Sequence, residues 1–237
     1  MVKAWFNKLA FDVIADIKYT RDGKPVKPYL SSVYISANVH YDGKHKWIDV
    51  MVFPQKDRID IEFLKDGELE VGETPIRISD STIKLVFNDL LDKDLLDKLL
   101  PDTKKIQDRI QEEIQELSNN LGSEGLPDIS QTIRINGTIF NENPYGNYVG
   151  NVTIREYVSI GGATEHEVAE ESFEVKKSSD GELIAVEEDH GKEMFNPAYQ
   201  EVLDILVPSK SEFEDLLGLI KQALREGKVE YGDRNLI

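Results

Sequence analysis

The apolar residues of this chain follow two periods, and each period predicts one kind of secondary structure. A period of two, with apolar and polar residues in alternation, predicts β-strands. In the first half it covers 11–19, 30–41, 58–65 and 82–87, while 47–53 is apolar on both faces, as in a central strand. Asp42-Gly43 predicts a tight hairpin, because Asp-Gly accepts the positive φ angles of such a turn. Residues 20–28, with two prolines, predict a turn and loop.

The alternation returns in the second half of the chain near 131–141, 147–158, 166–177 and 182–188. A period of three to four, typical of amphipathic helices, follows each set of strands. It predicts helices at about 89–99, 103–121, 197–207 and 210–226. Because the strands precede the helices rather than alternating with them, the pattern predicts an α+β fold with mainly antiparallel sheets.

The two halves also share a succession of landmarks. Val33–Val39 matches Ile133–Ile139, apolar position for apolar position. The later matches, in the same order, are Asp66–Leu69 with Asp180–Leu183, Phe87-Asn88 with Phe195-Asn196, and Pro101 with Pro208. The order predicts an internal duplication: two similar halves, each an antiparallel sheet of about four strands followed by two helices, related by a pseudo-twofold axis. The alternative is two unrelated β-then-α segments that resemble each other through composition.

The corresponding domain organisation divides the chain at a segment rich in Gly and Pro. The first repeat, with an extra N-terminal strand, is expected at 1–121, a linker at 122–130, and the second repeat at 131–237. No apolar run approaches the roughly 20 residues that a membrane crossing needs. The N-terminus has no export-signal pattern, so we expect a cytoplasmic protein with no membrane association.

Charge and cysteine content narrow the function classes. With 28 basic and 45 acidic residues the formal net charge is −17, which argues against direct, non-specific nucleic-acid binding and against docking to anionic lipid. The charge favours solubility, and it also suits an acidic surface presented to a basic partner. The chain has no cysteine, which rules out disulfides and a cysteine nucleophile.

Two clusters are candidates for metal chemistry. His166-Glu167-Val-Ala-Glu170 is an incomplete form of the HExxH pattern of zinc proteases. Its surroundings predict a strand, which would place His166 and Glu170 on one face about 13 Å apart. Glu187, Asp189 and His190 form a second acidic cluster that could recruit a divalent cation, although a charged loop explains it more simply.

Other residues are candidates for binding. Asp89, Asp92, Asp94 and Asp97 surround the first predicted helix and could form an acidic docking face, while Tyr145 and Tyr148 lie in a predicted recognition loop. His40 and His45 flank the Asp42-Gly43 hairpin and can approach each other. The simpler interpretation is that they are ordinary surface histidines. The Asn-x-Thr sequons at Asn136 and Asn151 fall inside predicted strands and are interpreted as incidental.

The chain contains no Gly-x-Gly-x-x-Gly motif, no Walker loop and no nucleophile elbow. The sequence therefore favours a non-catalytic acidic binding protein without a cofactor: an adaptor, inhibitor or chaperone-like factor that engages a protein partner with basic surface. One alternative is a metal- or carboxylate-dependent hydrolase. Another is a small-ligand carrier with a cavity between sheet and helix. The sequence gives no indication of oligomeric state.

Overall fold

The computed structural model describes residues 2–53, 58–63, 76–78, 103–121, 125–141, 147–162, 164–189, 192–225 and 229–231. The strands in these ranges are β1 (Val2–Lys3), β2 (Lys8–Arg21), β3 (Lys24–Tyr41), β4 (Lys44–Phe53), β5 (Arg58–Phe63), β6 (Ile76–Ile78), β7 (Ile129–Phe140), β8 (Tyr148–Ile160), β9 (His166–Lys177), β10 (Glu182–Asp189), β11 (Lys192–Met194) and β12 (Val229–Tyr231). The described helices are α1 (Thr103–Leu121), α2 (Pro197–Leu206) and α3 (Lys210–Arg225).

All the described strands belong to one 12-stranded sheet. Its order is β1-β10-β9-β8-β7-β2-β3-β4-β5-β6-β12, and β11 pairs with β10 beside this path. Two runs of consecutive antiparallel strands, β2 to β6 and β7 to β10, are joined by the antiparallel pairing of β2 with β7. Strands from both halves of the chain therefore form one continuous sheet.

This topology shows that the predicted fold class is wrong. The chain is dominated by a single antiparallel sheet and is not a pair of similar halves that each hold a sheet and two helices. The interpretation as an internal duplication is wrong for the same reason. The landmarks Asp66-Gly67, Phe87-Asn88 and Pro101 lie outside the described residues, as do the predicted strand at 82–87 and the predicted helix at 89–99. The domain division at 122–130 stays a prediction.

The resemblance between the two matched strands has a structural cause. Val33 of β3 and Ile133 of β7 pair with the same residue, Ala15, from opposite sides of β2, and Ile35 and Ile135 both pair with Val13. Side chains of directly paired residues lie on one face of a sheet, so both strands must match the alternation of β2. Their likeness follows from a shared neighbour in one sheet.

Several predicted elements are confirmed. The four strands of the second half lie within two residues of their expected limits, and α1, α2 and α3 begin at or near the expected positions. Asn196 caps α2, since its Oδ1 accepts a hydrogen bond of 3.0 Å from the Ala198 N–H. None of the described helices combines the length and the apolar composition that a membrane crossing needs.

The predicted loop at 20–28 is instead a tight hairpin. Asp22 and Gly23 have φ angles of 52° and 73°, so the chain reverses within two residues and β3 resumes at Lys24. Asp42 and Gly43, with φ angles of 47° and 67°, form the predicted second hairpin in the same way. The two turns connect the long strands β2, β3 and β4; the pairing of β3 with β4 is continuous, whereas the pairing of β2 with β3 shifts register after Asp16 and again after Lys18.

The central strands have one covered face and one open face. The covered face consists of the odd-numbered residues of β2 and β7, those of β3 from Val33 onward, and the even-numbered residues of β4 and β8, and most of its side chains are buried. Buried residues of all three helices belong to the same hydrophobic cluster as this face: Ile110, Ile114, Val202, Leu203, Phe213 and Leu217. The open face consists of the alternate residues of these strands, which are mostly half-buried.

A buried polar network crosses the covered face. The Tyr19 hydroxyl donates to Gln131 Oε1 at 2.7 Å, and Gln131 Nε2 donates to Glu156 Oε2 at 2.6 Å. Burial and the Glu156 carboxylate both raise the pKa of the Tyr19 hydroxyl, so it stays a donor. The network connects β2, β7 and β8 inside an otherwise apolar layer.

Candidate functional site

A depression of about 430 Å³ lies at the centre of the open face. We call it the central depression, and the residues that characterise it are Ala10, Asp12, Asn38, Trp47, Asn136 and Asn151. Its volume falls within the range of small-molecule and side-chain binding sites. The lining combines polar side chains with apolar surface that includes Trp47 and Phe11.

Strand register explains why the surface is depressed here. Two neighbouring cross-strand rows of the open face carry mainly short side chains. One row runs Asp49, Ser36, Asp12, Asn136, Thr153, Ser172, and the other runs Trp47, Asn38, Ala10, Thr138, Asn151. The next row on one side holds longer side chains, among them Tyr34, Arg134 and Arg155. Side chains stand roughly perpendicular to a sheet, so rows of short residues beside longer ones leave a hollow.

Asp12 is the chemically unusual residue of the central depression. Its Oδ1 atom is buried and has no hydrogen-bond partner in the described part of the chain. Burial raises the pKa of the Asp12 carboxyl, and the positive charge of Arg134 offsets this only in part. The Nε atom of Arg134, the cation that acts on Asp12, is likewise buried and has no hydrogen-bond partner in the described part of the chain. A buried carboxylate oxygen without a donor is costly to the fold.

Trp47 forms the aromatic wall of the central depression. Its indole Nε1–H donates to Asp49 Oδ1 at 2.8 Å and to Ser36 Oγ at 3.1 Å, which holds the ring in one orientation. Next to it, Asn38 Oδ1 lies 2.7 Å from His45 Nε2, so the Asn38 amino group takes no part in this contact. The amide side chains of Asn136 and Asn151 have no hydrogen-bond partner among the described residues.

The two histidines next to the depression stack on each other. The rings of His40 and His45 lie 4.2 Å apart at 25°, which confirms that the hairpin brings them together. The pKa of His40 is lowered by burial, then by the neighbouring His45 and Lys8, so His40 is favoured in its neutral form.

The two arginines of the open face on β7 and β8 are paired with acids. Arg134 lies 3.6 Å from Glu165, and Arg155 lies 3.2 Å from Glu170 and 4.0 Å from Glu167. These pairs lie on the β7, β8 and β9 side of the face and leave little uncompensated positive charge there.

The carboxylates at the centre of the open face, those of Asp12, Asp16 and Asp49, are not paired with a basic side chain in the described part of the chain. Asp16 accepts hydrogen bonds from the Ser32 and Thr132 hydroxyls at 3.0 and 2.9 Å, and Asp49 accepts one from the Trp47 indole. Within the described ranges neither of them, nor Asp12, forms an ion pair. The middle of the open face is therefore negatively charged.

A β-bulge overturns the expected geometry of the HExxH-like segment. Glu156 pairs with Ala169 but the next residue, Tyr157, pairs with Glu167, so Val168 is an extra residue in β9. The strand assignment is confirmed, but the bulge reverses the alternation and puts His166 and Glu170 on opposite faces. Glu167 and Glu170 instead share a face and both contact Arg155. The segment is an ion-pair cluster, and the His166–Glu170 ligand pair is wrong.

Of the other predicted site residues, the structure describes only Tyr148, Glu187 and Asp189. Asp89, Asp92, Asp94, Asp97, Tyr145 and His190 lie outside the described residues, and their roles stay predictions. Tyr148 begins β8 and is 42% exposed. Glu187 and Asp189 lie in β10, paired across the ladder with Met194 and Lys192. Among the described residues no group of three His, Asp or Glu side chains could hold a metal ion.

The residues of the central depression were not recognised from the sequence as a site. Asn136 and Asn151 were visible only as incidental sequons, and Trp47 as part of a central strand. The sequence indicates them only as polar positions in strands that alternate between apolar and polar residues. This pattern predicts that a strand has a polar face, but it does not show which residues of different strands are neighbours. That information lies in the register between β4, β3, β2, β7 and β8.

Comparison with protein-family models, with curated proteins and with solved structures found no match to this chain. The functional argument therefore rests on the geometry of the open face.

Proposed function

We propose that this protein is a non-catalytic acidic binding protein that engages a protein partner with basic surface through the open face of its sheet. The observation that supports this most directly is the centre of that face, where Asp12, Asp16 and Asp49 have no ion-pair partner in the described structure. An adaptor, an inhibitor and a chaperone-like factor are all forms of this function. A cytoplasmic location is part of the proposal.

Charge supports the choice of a basic partner. The net charge of −17 attracts cationic surfaces at long range and increases association rates. Because Arg134 and Arg155 are engaged by Glu165, Glu167 and Glu170, the unpaired carboxylates at the centre dominate the local potential. Complementary charge of this kind contributes mainly to specificity and on-rate.

The proposal is tested by capturing a partner and then mapping it to one face. A protein from the native host that binds the full chain is identified, purified and measured by calorimetry against matched variants. The face variant combines Asp12→Asn, Asp16→Asn and Asp49→Asn. The control combines Asp108→Asn, Glu112→Gln and Glu116→Gln, which removes three charges from the exposed side of α1.

We expect the captured partner to be basic, and its affinity to fall by about tenfold or more in the face variant and by about twofold or less in the control. Affinity should also fall as salt is raised. A partner whose binding is insensitive to salt, or is weakened equally by both variants, contradicts the proposal.

A further inference from the structure

The central depression has features that an acidic surface alone does not need. A solvated acidic face requires only exposed carboxylates, whereas Asp12 is partly buried at the bottom of a hollow and its Oδ1 atom has no donor. Leaving such an atom unsatisfied destabilises the free protein. Because Oδ1 itself is inaccessible, a donor that enters the hollow from a bound partner would reach the Asp12 carboxylate from its accessible side.

Beside the Asp12 carboxylate, the neutral side chains of the lining offer both hydrogen-bond acceptors and donors. Ser36 and Thr138 contribute hydroxyl oxygens, and Asn136 and Asn151 contribute amide oxygens that no described donor uses. Arg134 is directed to Glu165 and lies over the Tyr157 ring at 5.2 Å, so it does not fill the hollow. A cationic group with several donors would therefore find one carboxylate and several neutral oxygens here.

The Trp47 ring adds a second requirement. Indole rings attract cations over their faces, and the planar guanidinium of arginine also stacks on them. A guanidinium carries five N–H donors and no acceptor, which suits one carboxylate surrounded by neutral oxygens. An ammonium group has three donors and does not stack as a plane, so it fits less well.

We propose that the central depression receives an arginine side chain of the basic partner, with the guanidinium donating to the Asp12 carboxylate and packing against Trp47. This inference rests on the proposed function and names the group that the open face recognises. A neutral hydroxyl-rich ligand such as a saccharide would also find acceptors and an aromatic wall here. Asp12 and Asp49, which form no ion pair among the described residues, decide for a cation through charge complementarity.

The test titrates the ¹⁵N-labelled full chain with a capped Gly-Arg-Gly peptide. The chain has two tryptophans, and the indole N–H of Trp5 donates to the Pro208 carbonyl at 2.9 Å within the aromatic cluster with Tyr41 and Phe213. Trp5 thus serves as an internal reference, and Trp47→Phe assigns the other signal. We expect the Trp47 indole resonance to shift with a dissociation constant on the order of millimolar, and the Trp5 resonance to stay in place.

Matched peptides and variants separate recognition from general attraction. A peptide with citrulline, the neutral counterpart of arginine, should leave Trp47 unshifted, and a lysine peptide should bind more weakly than arginine. Asp12→Asn should weaken the arginine peptide by about tenfold or more, while Asp108→Asn, the same charge change on α1, should alter it by about twofold or less. Thermal melts confirm that both variants are folded.

Three results would overturn the inference: an equal shift with citrulline, equal weakening by Asp12→Asn and Asp108→Asn, or a Trp47 shift with neutral oligosaccharides in place of arginine. The proposed function fails separately, when a captured basic partner is insensitive to the face variant. A partner that depends on Asp16 and Asp49 but binds Asp12→Asn normally overturns the arginine site and leaves the proposed function standing.

Discussion

The two faces of the central sheet are built from the same strands and differ in almost everything else. On β7, Ile135 on the covered face is 1% exposed and belongs to the hydrophobic cluster, whereas its neighbour Asn136 points into the central depression without a hydrogen-bond partner among the described residues. On β2, Phe11 and Asp12 show the same contrast. Adjacent residues of a strand therefore serve separate purposes.

The contrast indicates where stability and recognition reside. The covered face buries apolar surface against three helices, and burial of this kind is the main source of folding free energy. The open face holds a carboxylate without a donor and amides without partners, which contribute little or even oppose folding. If this division is correct, substitutions on the two faces should differ in size and in some cases in sign.

The largest effect is expected from truncating Ile135. Ile135→Ala should lower the free energy of unfolding by about 2–5 kcal/mol, because it removes a fully buried side chain from the middle of the core. Asn136→Ala, one residue away on the open face, should change it by less than about 0.5 kcal/mol. Urea denaturation of both variants measures the difference. Equal losses would mean that the open face is also packed for stability.

The sequence predicted this alternation well because it is a local property. Strand positions in β2, β3, β7, β8, β9 and β10 were predicted from nearest-neighbour patterns alone. The arrangement of the strands was not predictable in this way, since pairing joins residues far apart along the chain. Val33 and Ile133 resemble each other because both face Ala15, and only the sheet topology distinguishes this from a duplication.

The candidate site was less predictable than the fold for the same physical reason. A bulge of one residue at Val168 places His166 and Glu170 on opposite faces of the sheet. No residue type in that segment indicates the bulge. The central depression needs the registers of five strands before Trp47, Asp12 and Asn151 become neighbours. Strand patterns could define a polar face, and only the pairing could define a site on it.

A smaller effect is expected from the buried network of Tyr19, Gln131 and Glu156 on the covered face. Gln131→Ala removes the acceptor of the Tyr19 hydroxyl and one donor to Glu156, all in a buried layer. We expect a loss of about 2–3 kcal/mol, since each buried group left without its partner carries a desolvation penalty. Tyr19→Phe, which removes only the first hydrogen bond, should cost about 1 kcal/mol. If Gln131→Ala left the free energy of unfolding unchanged, the stability of the covered face would depend on apolar burial alone.

The smallest effect should have the opposite sign and comes from Asp12. The raised pKa of Asp12 means that its carboxyl holds a proton more tightly in the folded chain than in the unfolded chain. The ionised Asp12 therefore lowers the free energy of unfolding as the pH rises above the ordinary carboxyl pKa of 3.8. Asp12→Asn removes this penalty and should stabilise the free protein at neutral pH by less than about 1 kcal/mol, because the carboxylate is partly solvated.

The gain from Asp12→Asn should shrink as the pH falls to about 4, near the ordinary carboxyl pKa of 3.8, because the penalty on the ionised form disappears once the carboxyl is protonated in both the folded and the unfolded chain. Asp16→Asn is the matched control, since it exchanges one acceptor of the Ser32 and Thr132 hydroxyls for a donor and should destabilise by about 1 kcal/mol. Urea denaturation at both pH values measures each variant. A destabilised Asp12→Asn at neutral pH would show that the carboxylate already has a stabilising contact, and would remove the reason to expect a donor from a partner. A variant that is more stable yet binds arginine more weakly would show directly that Asp12 serves recognition at the expense of stability.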